Sequence, residues 1–215
     1  MKKRRNNTPR QIYLPSVSIM DPDGFILAMT CHVVKWNHKQ VTDLGMNHIW
    51  GDAMNIRLKV QDEAMLLGHV YEVKWNELET LKDKIKATMR KIDAYGDMLS
   101  IIDRHKQIGV SQHLMADGFI YFIGVEVARD SFIPEDLEVF MLPGGLVLRS
   151  RHITLEAISE TYESLRDWIE ESEYEPFKEP GIPYYDPLPI KYEIYDKKSG
   201  NMEIRIPVVR KERFD

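Results

Sequence analysis

The sequence predicts an α+β fold: two β-α-β-β units on one antiparallel sheet, helices on one face, and a small β-rich extension in front. Two segments carry apolar residues at three- and four-residue spacing, the signature of amphipathic helices: Leu78, Leu81, Ile85, Met89 and Ile92, then Leu155, Ile158, Tyr162, Leu165 and Ile169. Each is preceded by one strand-like run and followed by two. The order strand, helix, strand, strand thus occurs twice, although the residues themselves do not repeat. We place the extension at residues 1–60 and the duplicated domain at 61–215.

In chain order, IYLPSVSIM and GFILAMTCHVVKW read as two strands turning at Asp21-Pro-Asp-Gly24. The stretch Asn37–Val60 has weak periodicity and is compatible with a short helix leading into a strand. LLGHVYEVKW is a strand, and Asn76 with Glu79 resembles a capping box at the start of the first helix. KQIGVSQHLM and GFIYFIGVEVAR are two strands turning at Asp117-Gly118. LEVFMLPGGLVLRSRHI reads as one long strand bulged at Pro143-Gly144-Gly145, and Thr154 as the cap of the second helix. A proline-rich connection, EPFKEPGIPYYDPLP, leads to a final hairpin, KYEIYDKKSGNMEIRIPV, turning at Ser199-Gly200.

The chain of 215 residues is long enough for one sizeable core and has no apolar run of membrane-spanning length, so no membrane association is expected. No hydrophobic segment follows the basic start MKKRRNNTPRQ, and the single Cys31 suits a reducing cytoplasm, where we expect the protein to reside. The net charge of −5 is uneven: five cations fall in the first ten residues, while 156–186 is strongly acidic. Such a basic arm reads more readily as a solubilising tail than as a phosphate-binding element. Cys31, His32, His38 and His48 cluster, yet their spacing matches no zinc pattern, so no metal and no cofactor are expected. His69, His105 and His113 are isolated and read as structural or exposed.

The C-terminal part carries a resemblance. TYESLRDWIEESEYE (161–175), YEIYD (192–196) and MEIRIPV (202–208) resemble, in this order, the GyrI-like family, the effector-binding domain found alone or fused to bacterial AraC-type and MerR-type regulators. YFIGVEV (121–127) is similar to the last strand of the family's first repeat, so the likeness spans roughly residues 64–209. It implies a cleft between the two halves, lined by aromatics around a buried carboxylate, that receives bulky and often cationic organic molecules. Glu193 and Tyr195 match the family's Glu-x-Tyr pair, and Glu203 its last-strand acid. Tyr185, in a Tyr-Tyr-Asp-Pro segment, competes for the same register. Nothing in residues 1–60 resembles the DNA-binding domains that accompany the family, so direct DNA binding is not expected.

On alternation alone, Glu193 and Tyr195 share one face of their strand, and Glu193 reads as an ordinary strand charge beside Lys191 or Lys197. The resemblance turns that face inward. An acid in an aromatic-lined cavity is costly to ionise unless a cation or hydroxyl donors compensate it. The expected ligand is therefore a cationic or aromatic organic molecule, with Glu193, Tyr195 and Glu203 as contacts. Among the strand aromatics Tyr71, Trp75, Tyr121, Phe122 and Phe140, one or two are expected to line the cleft and the rest to be core. Two alternatives stand beside binding. One is a hydrolase using Glu193 and Glu203 on a reactive xenobiotic. The other is a protein-interaction module presenting the acidic segment 156–175. The oligomeric state is open.

Overall fold

A computed structural model describes residues 56–152 and 158–212, together with the backbone of four short strands before them. These four, β1 (Tyr13–Pro15), β2 (Ile19–Met20), β3 (Ile26–Leu27) and β4 (Cys31–Val33), pair as β1 with β4 and β2 with β3. Tyr13 faces Val33 and Met20 faces Ile26, so the two antiparallel pairs share one register. This agrees with the two strands expected there. Their turn at Asp21–Gly24, the stretch 37–55 and the Thr154 cap lie outside the described residues, as do the side chains of the Cys31, His32, His38 and His48 cluster.

The main body is one antiparallel sheet of nine strands with two helices. Its strands are β5 (Arg57–Gln61), β6 (Ala64–Lys74), β7 (Lys106–Met115), β8 (Gly118–Val127), β9 (Glu138–Leu142), β10 (Gly145–His152), β11 (Tyr174–Pro176), β12 (Ile190–Asp196) and β13 (Asn201–Arg210). Helix α1 (Leu78–Tyr95) lies between β6 and β7, and α2 (Ile158–Glu171) between β10 and β11. The spatial order is β5-β10-β13-β12-β7-β8-β6-β9, with β11 on the far end of β13. The two β-α-β-β units therefore meet along β7 and β12, at the middle of the sheet.

The segment expected to be one bulged strand is two. β9 pairs with β6 at one edge of the sheet, and β10 pairs with β13 and β5 at the other. Only Pro143 and Gly144 join them, and only Asp62 and Glu63 join β5 to β6. Links this short force the sheet to curl until its two edges meet at a corner, where the Gln61 amide reaches the Pro143 carbonyl at 3.3 Å. The inner face of the curl is filled by Leu66, Phe122, Leu142, Val147, Ile190, Tyr192 and Ile194, from both ends of the sheet.

Both helices pack on the other face. The expected α1 stripe is confirmed in the burial of Leu81, Ile85, Met89 and Ile92, which cover Leu67, Phe119, Ile123 and Val125. Asn76 is not a cap, however: it lies within a 3-10 turn (Trp75–Glu77) that feeds the helix, and neither N-terminus has a side-chain cap. On α2, Ile158, Leu165 and Ile169 cover Leu148, Met202, Ile204 and Ile206. These are two separate apolar cores, one under each helix.

Separate cores make a thermodynamic prediction. Ile85→Val is expected to cost about 0.5–1.5 kcal/mol and Leu165→Ala about 2–5 kcal/mol. In the double variant the two losses should add to within about 0.5 kcal/mol, because the sites share no neighbours. Urea unfolding measures this, and a coupling above about 1 kcal/mol would mean that the two halves share one core.

Candidate functional site

Between the two cores the sheet changes character. On the helix-bearing face, β7 presents Gln107, Gly109, Ser111 and His113, and β12 presents Lys191, Glu193 and Tyr195. In register, Tyr195 stands beside Gln107, Glu193 beside Gly109 and Lys191 beside Ser111. All of the polar side chains except Glu193 are buried, His113 to 3% and Lys191 to 8% exposure. Glu193 keeps part of its surface accessible. A buried polar strip of this kind costs free energy unless its groups find partners.

Glu193 finds them in tyrosines from both halves. From α2, the Tyr162 hydroxyl donates to Glu193 Oε1 at 2.5 Å, and from β8 the Tyr121 hydroxyl is hydrogen-bonded to the same carboxylate. Burial pushes the Glu193 carboxyl above its ordinary value, while Tyr162, Lys191 and Tyr121 pull it back. Both phenols are driven well above their ordinary range by burial, so they stay protonated as donors. Tyr121 reaches across β7 only because residue 109 has no side chain: a Cβ on Gly109 would stand 2.2 Å from the Tyr121 oxygen and 2.9 Å from its ring. Glycine within a strand commonly marks such a close approach.

Next to Glu193, the Lys191 ammonium donates to Asp186 Oδ2 at 3.1 Å and to His113 Nε2 at 3.0 Å, and lies 5.3 Å from the centre of the Tyr162 ring. His113 packs in a three-ring cluster with Trp75 at 5.9 Å and Phe119 at 5.4 Å, those two rings lying 5.1 Å from each other. Burial, reinforced by Lys191 and opposed by Asp186, lowers its pKa to about 3, so the ring is neutral. Three buried polar atoms have no hydrogen-bond partner among the described residues: Gln107 Oε1, Ser150 Oγ and His113 Nδ1, the last lying 3.7 Å from Asp186 Oδ2. All three lie on this face of the sheet, Ser150 by its pairing with Ile204, which faces Glu193 on the other side. A pocket opens here beside α2, lined by Ser159, Tyr162 and Arg166 of the helix and by Asp186, Leu188 and Lys191 opposite.

The structure gathers some of the expected site residues and scatters others. Glu193, Tyr195 and Tyr121 share the strip, and Trp75 closes one end of it through His113. Tyr71 stands opposite Tyr121, but its hydroxyl is spent under α1 on Thr88 Oγ1 at 2.8 Å. Tyr185 sends its side chain into solvent, 60% exposed, while its backbone amide holds the His113 carbonyl at 2.9 Å. Glu203 and Phe140 lie on the opposite face of the sheet. Because Glu193 pairs with Ile204, alternation turns Glu203 away, and its carboxylate is held by Arg149 and by Arg205, the latter at 2.5 Å. Phe140 stacks on Phe122 at 5.0 Å within the curl. The two glutamates therefore do not share a cavity.

Sequence reasoning did not select Gly109, Asp186, Lys191 or His113, and gave Tyr162 only a packing position with an optional hydroxyl at the cleft. One signal was present: in KQIGVSQHLM the odd positions Gln107, Gly109, Ser111 and His113 alternate with Ile108 and Val110. That pattern reads as a wet strand face, and only the helices flanking it bury it.

Residues 57–208 match the family model of Cass2, the integron-associated effector binding proteins. The chain belongs to that family. The effector-binding resemblance read from its C-terminal part is thereby confirmed. Among solved structures, the C-terminal domain of EcmrR is similar at 14% identity and a TM-score of 0.53, over 74% of this chain and 99% of that one. The EcmrR chain in an EcmrR–DNA complex gives 14% identity and a TM-score of 0.55 over 74% of this chain, which spans only 58% of that chain's length. SAV2435 bound to tetraphenylphosphonium is similar at 15% identity and a TM-score of 0.53, over 72% of this chain and 93% of that one. At these identities the likeness is one of fold. No curated protein matches the sequence. In this effector-binding protein, the polar strip lies between the two β-α-β-β halves.

Two measurements test the site. Gly109→Ala is expected to push the Tyr121 ring off Glu193 and to cost about 1–3 kcal/mol of stability by urea unfolding. Tyr121→Phe in the same chain should recover part of that loss, and no recovery would place the strain elsewhere. The pH profiles of Glu193→Gln and His113→Gln should slope in opposite directions. The Glu193 carboxyl is raised from 4.5, so its contribution is present below that pH and lost as pH rises through the folded value. The His113 ring is lowered from 6.5 to about 3, so its contribution is present above 6.5 and lost as pH falls toward 3. Relative to the parent, Glu193→Gln should gain stability as pH rises above 4.5, and His113→Gln as it falls below 6.5, at no more than about 1.4 kcal/mol per pH unit. Parallel profiles would overturn the assignment.

Proposed function

We propose that this effector-binding domain is a receptor for a bulky organic cation with aromatic or apolar surface, taken up at Glu193 between the two halves. The observation that carries this is a partly accessible carboxylate whose ionised form is disfavoured by burial and held by two tyrosine hydroxyls. A cation is the ligand that relieves such a site most: it repays the ionisation, and the flanking rings of Tyr162, Tyr121 and Trp75 offer aromatic faces to it. The complex of SAV2435, a structural neighbour, with tetraphenylphosphonium supports the same chemistry. We place the protein in the cytoplasm, on the strength of its single Cys31. The hydrolytic alternative gains no support, since the two carboxylates it would pair lie on opposite faces of the sheet.

Tetraphenylphosphonium is the probe for this reading. Calorimetry should show binding to the parent, and Glu193→Gln should weaken it about ten- to a hundredfold, the worth of a charged contact of about 1.5–3 kcal/mol. Because the carboxyl is raised and binds the cation only when ionised, parent affinity should fall about tenfold per pH unit below the pKa of Glu193. The Glu193→Gln profile should be flat. Binding that is unchanged in Glu193→Gln, or independent of pH, would sink the proposal.

A further inference from the structure

One cation is already in the pocket, and it belongs to the protein. Lys191 is almost fully buried, an unusual position for a lysine, and its neighbours are those expected around a cationic guest. Its ammonium lies 3.1 Å from the Asp186 carboxylate, 3.0 Å from the neutral His113 Nε2 and 5.3 Å from the centre of the Tyr162 ring. The same Tyr162 donates its hydroxyl to Glu193, two residues along β12 on the same face, and the same Lys191 and Asp186 line the pocket. With Glu193 beside it, the pocket therefore counts three acids, Glu163, Asp186 and Glu193, against two bases, Arg166 and Lys191. At the mouth, Arg166 is turned toward Asp167 and Glu170 at 3.4 and 3.9 Å.

We propose that the Lys191 ammonium is a resident cation beside the ligand position, and that it sets the pocket to accept one further positive charge rather than two. It rests on the cation-binding reading above and names the ligand class within it: monocations. The strand holds the lysine in place, since its backbone is paired with Ser111 of β7. A guest carrying one charge balances Glu193, whereas a guest carrying two meets the uncompensated repulsion of Lys191 in a partly desolvated site, where charges are poorly screened.

The test compares methyl-phenylpyridinium, a monocation, with methyl viologen, a dication of nearly the same shape, by calorimetry on the full chain. The parent should prefer the monocation. Lys191→Met, which keeps the length and loses the charge, should tighten the monocation about tenfold and the dication about a hundredfold, one factor for each charge relieved of repulsion. Should Lys191→Met unfold, Lys191→Gln replaces it, with thermal unfolding as the control. Affinities that stay within twofold, that weaken, or that rise equally for both probes would overturn the proposal. Where neither the parent nor any variant binds either probe, the cation-binding reading itself falls. The ligand-free titration of Glu193 by NMR then decides the role of Lys191. A midpoint raised further in Lys191→Met upholds the resident cation, and an unchanged midpoint overturns it.

Discussion

The hydrogen bonds from Tyr162 and Tyr121 to Glu193 are the interaction on which the arrangement of this molecule depends. One phenol comes from the second helix and the other from a strand of the first half, so the carboxylate ties the two halves at the seam where their apolar cores stop. The tie is possible only because each partner is placed by a separate constraint. Leu165 and Ile169 seat α2 so that Tyr162 overhangs β12, and the bare backbone of Gly109 lets Tyr121 cross β7. A carboxylate buried without such donors would take up a proton rather than stay charged.

The curl of the sheet explains why the polar strip can exist at all. A flat sheet would need an apolar strip in the middle to hold its covering layer. Here the inner face of the curl carries its own core, and each helix has another. The central strands β7 and β12 are thus held from behind, which releases their helix-facing side for Gln107, Ser111, His113, Lys191 and Glu193. The same curl gives Glu203 a different role: with Arg149 and Arg205 it forms an ion network on the opposite side, remote from the pocket.

Legibility in the sequence followed the range of the interactions involved. The helices, the hairpin at Gly200 and the strands β7 and β8 were readable because each is set by local periodicity and turn chemistry; Gly200 sits at φ +70° between Asp196 and Asn201, as a tight turn requires. The division of 137–153 into β9 and β10 was not readable. Nothing local to Pro143 and Gly144 says that the chain leaves one edge of a sheet and enters the other, because pairing partners 50 or more residues away decide it. Likewise Asn76 carries a capping pattern but falls in a 3-10 turn, where Trp75 is drawn in to stack on His113 and pack at a tilt against Phe119.

For the site, the residues themselves established that Glu193 and Tyr195 share a face, and the C-terminal motifs pointed to a ligand-binding domain. Both follow from strand alternation and residue type, which are local. Only the tertiary structure decided which face is inside, and with it the fate of every other candidate. It enclosed Lys191 and His113, which no motif marked, set Asp186 of the Tyr-Tyr-Asp-Pro segment beside them, and sent Glu203 and Phe140 to the other side of the sheet. The reason is that alternation allows two opposite faces, and the choice between them is made by where two helices, distant in sequence, come to rest on the sheet.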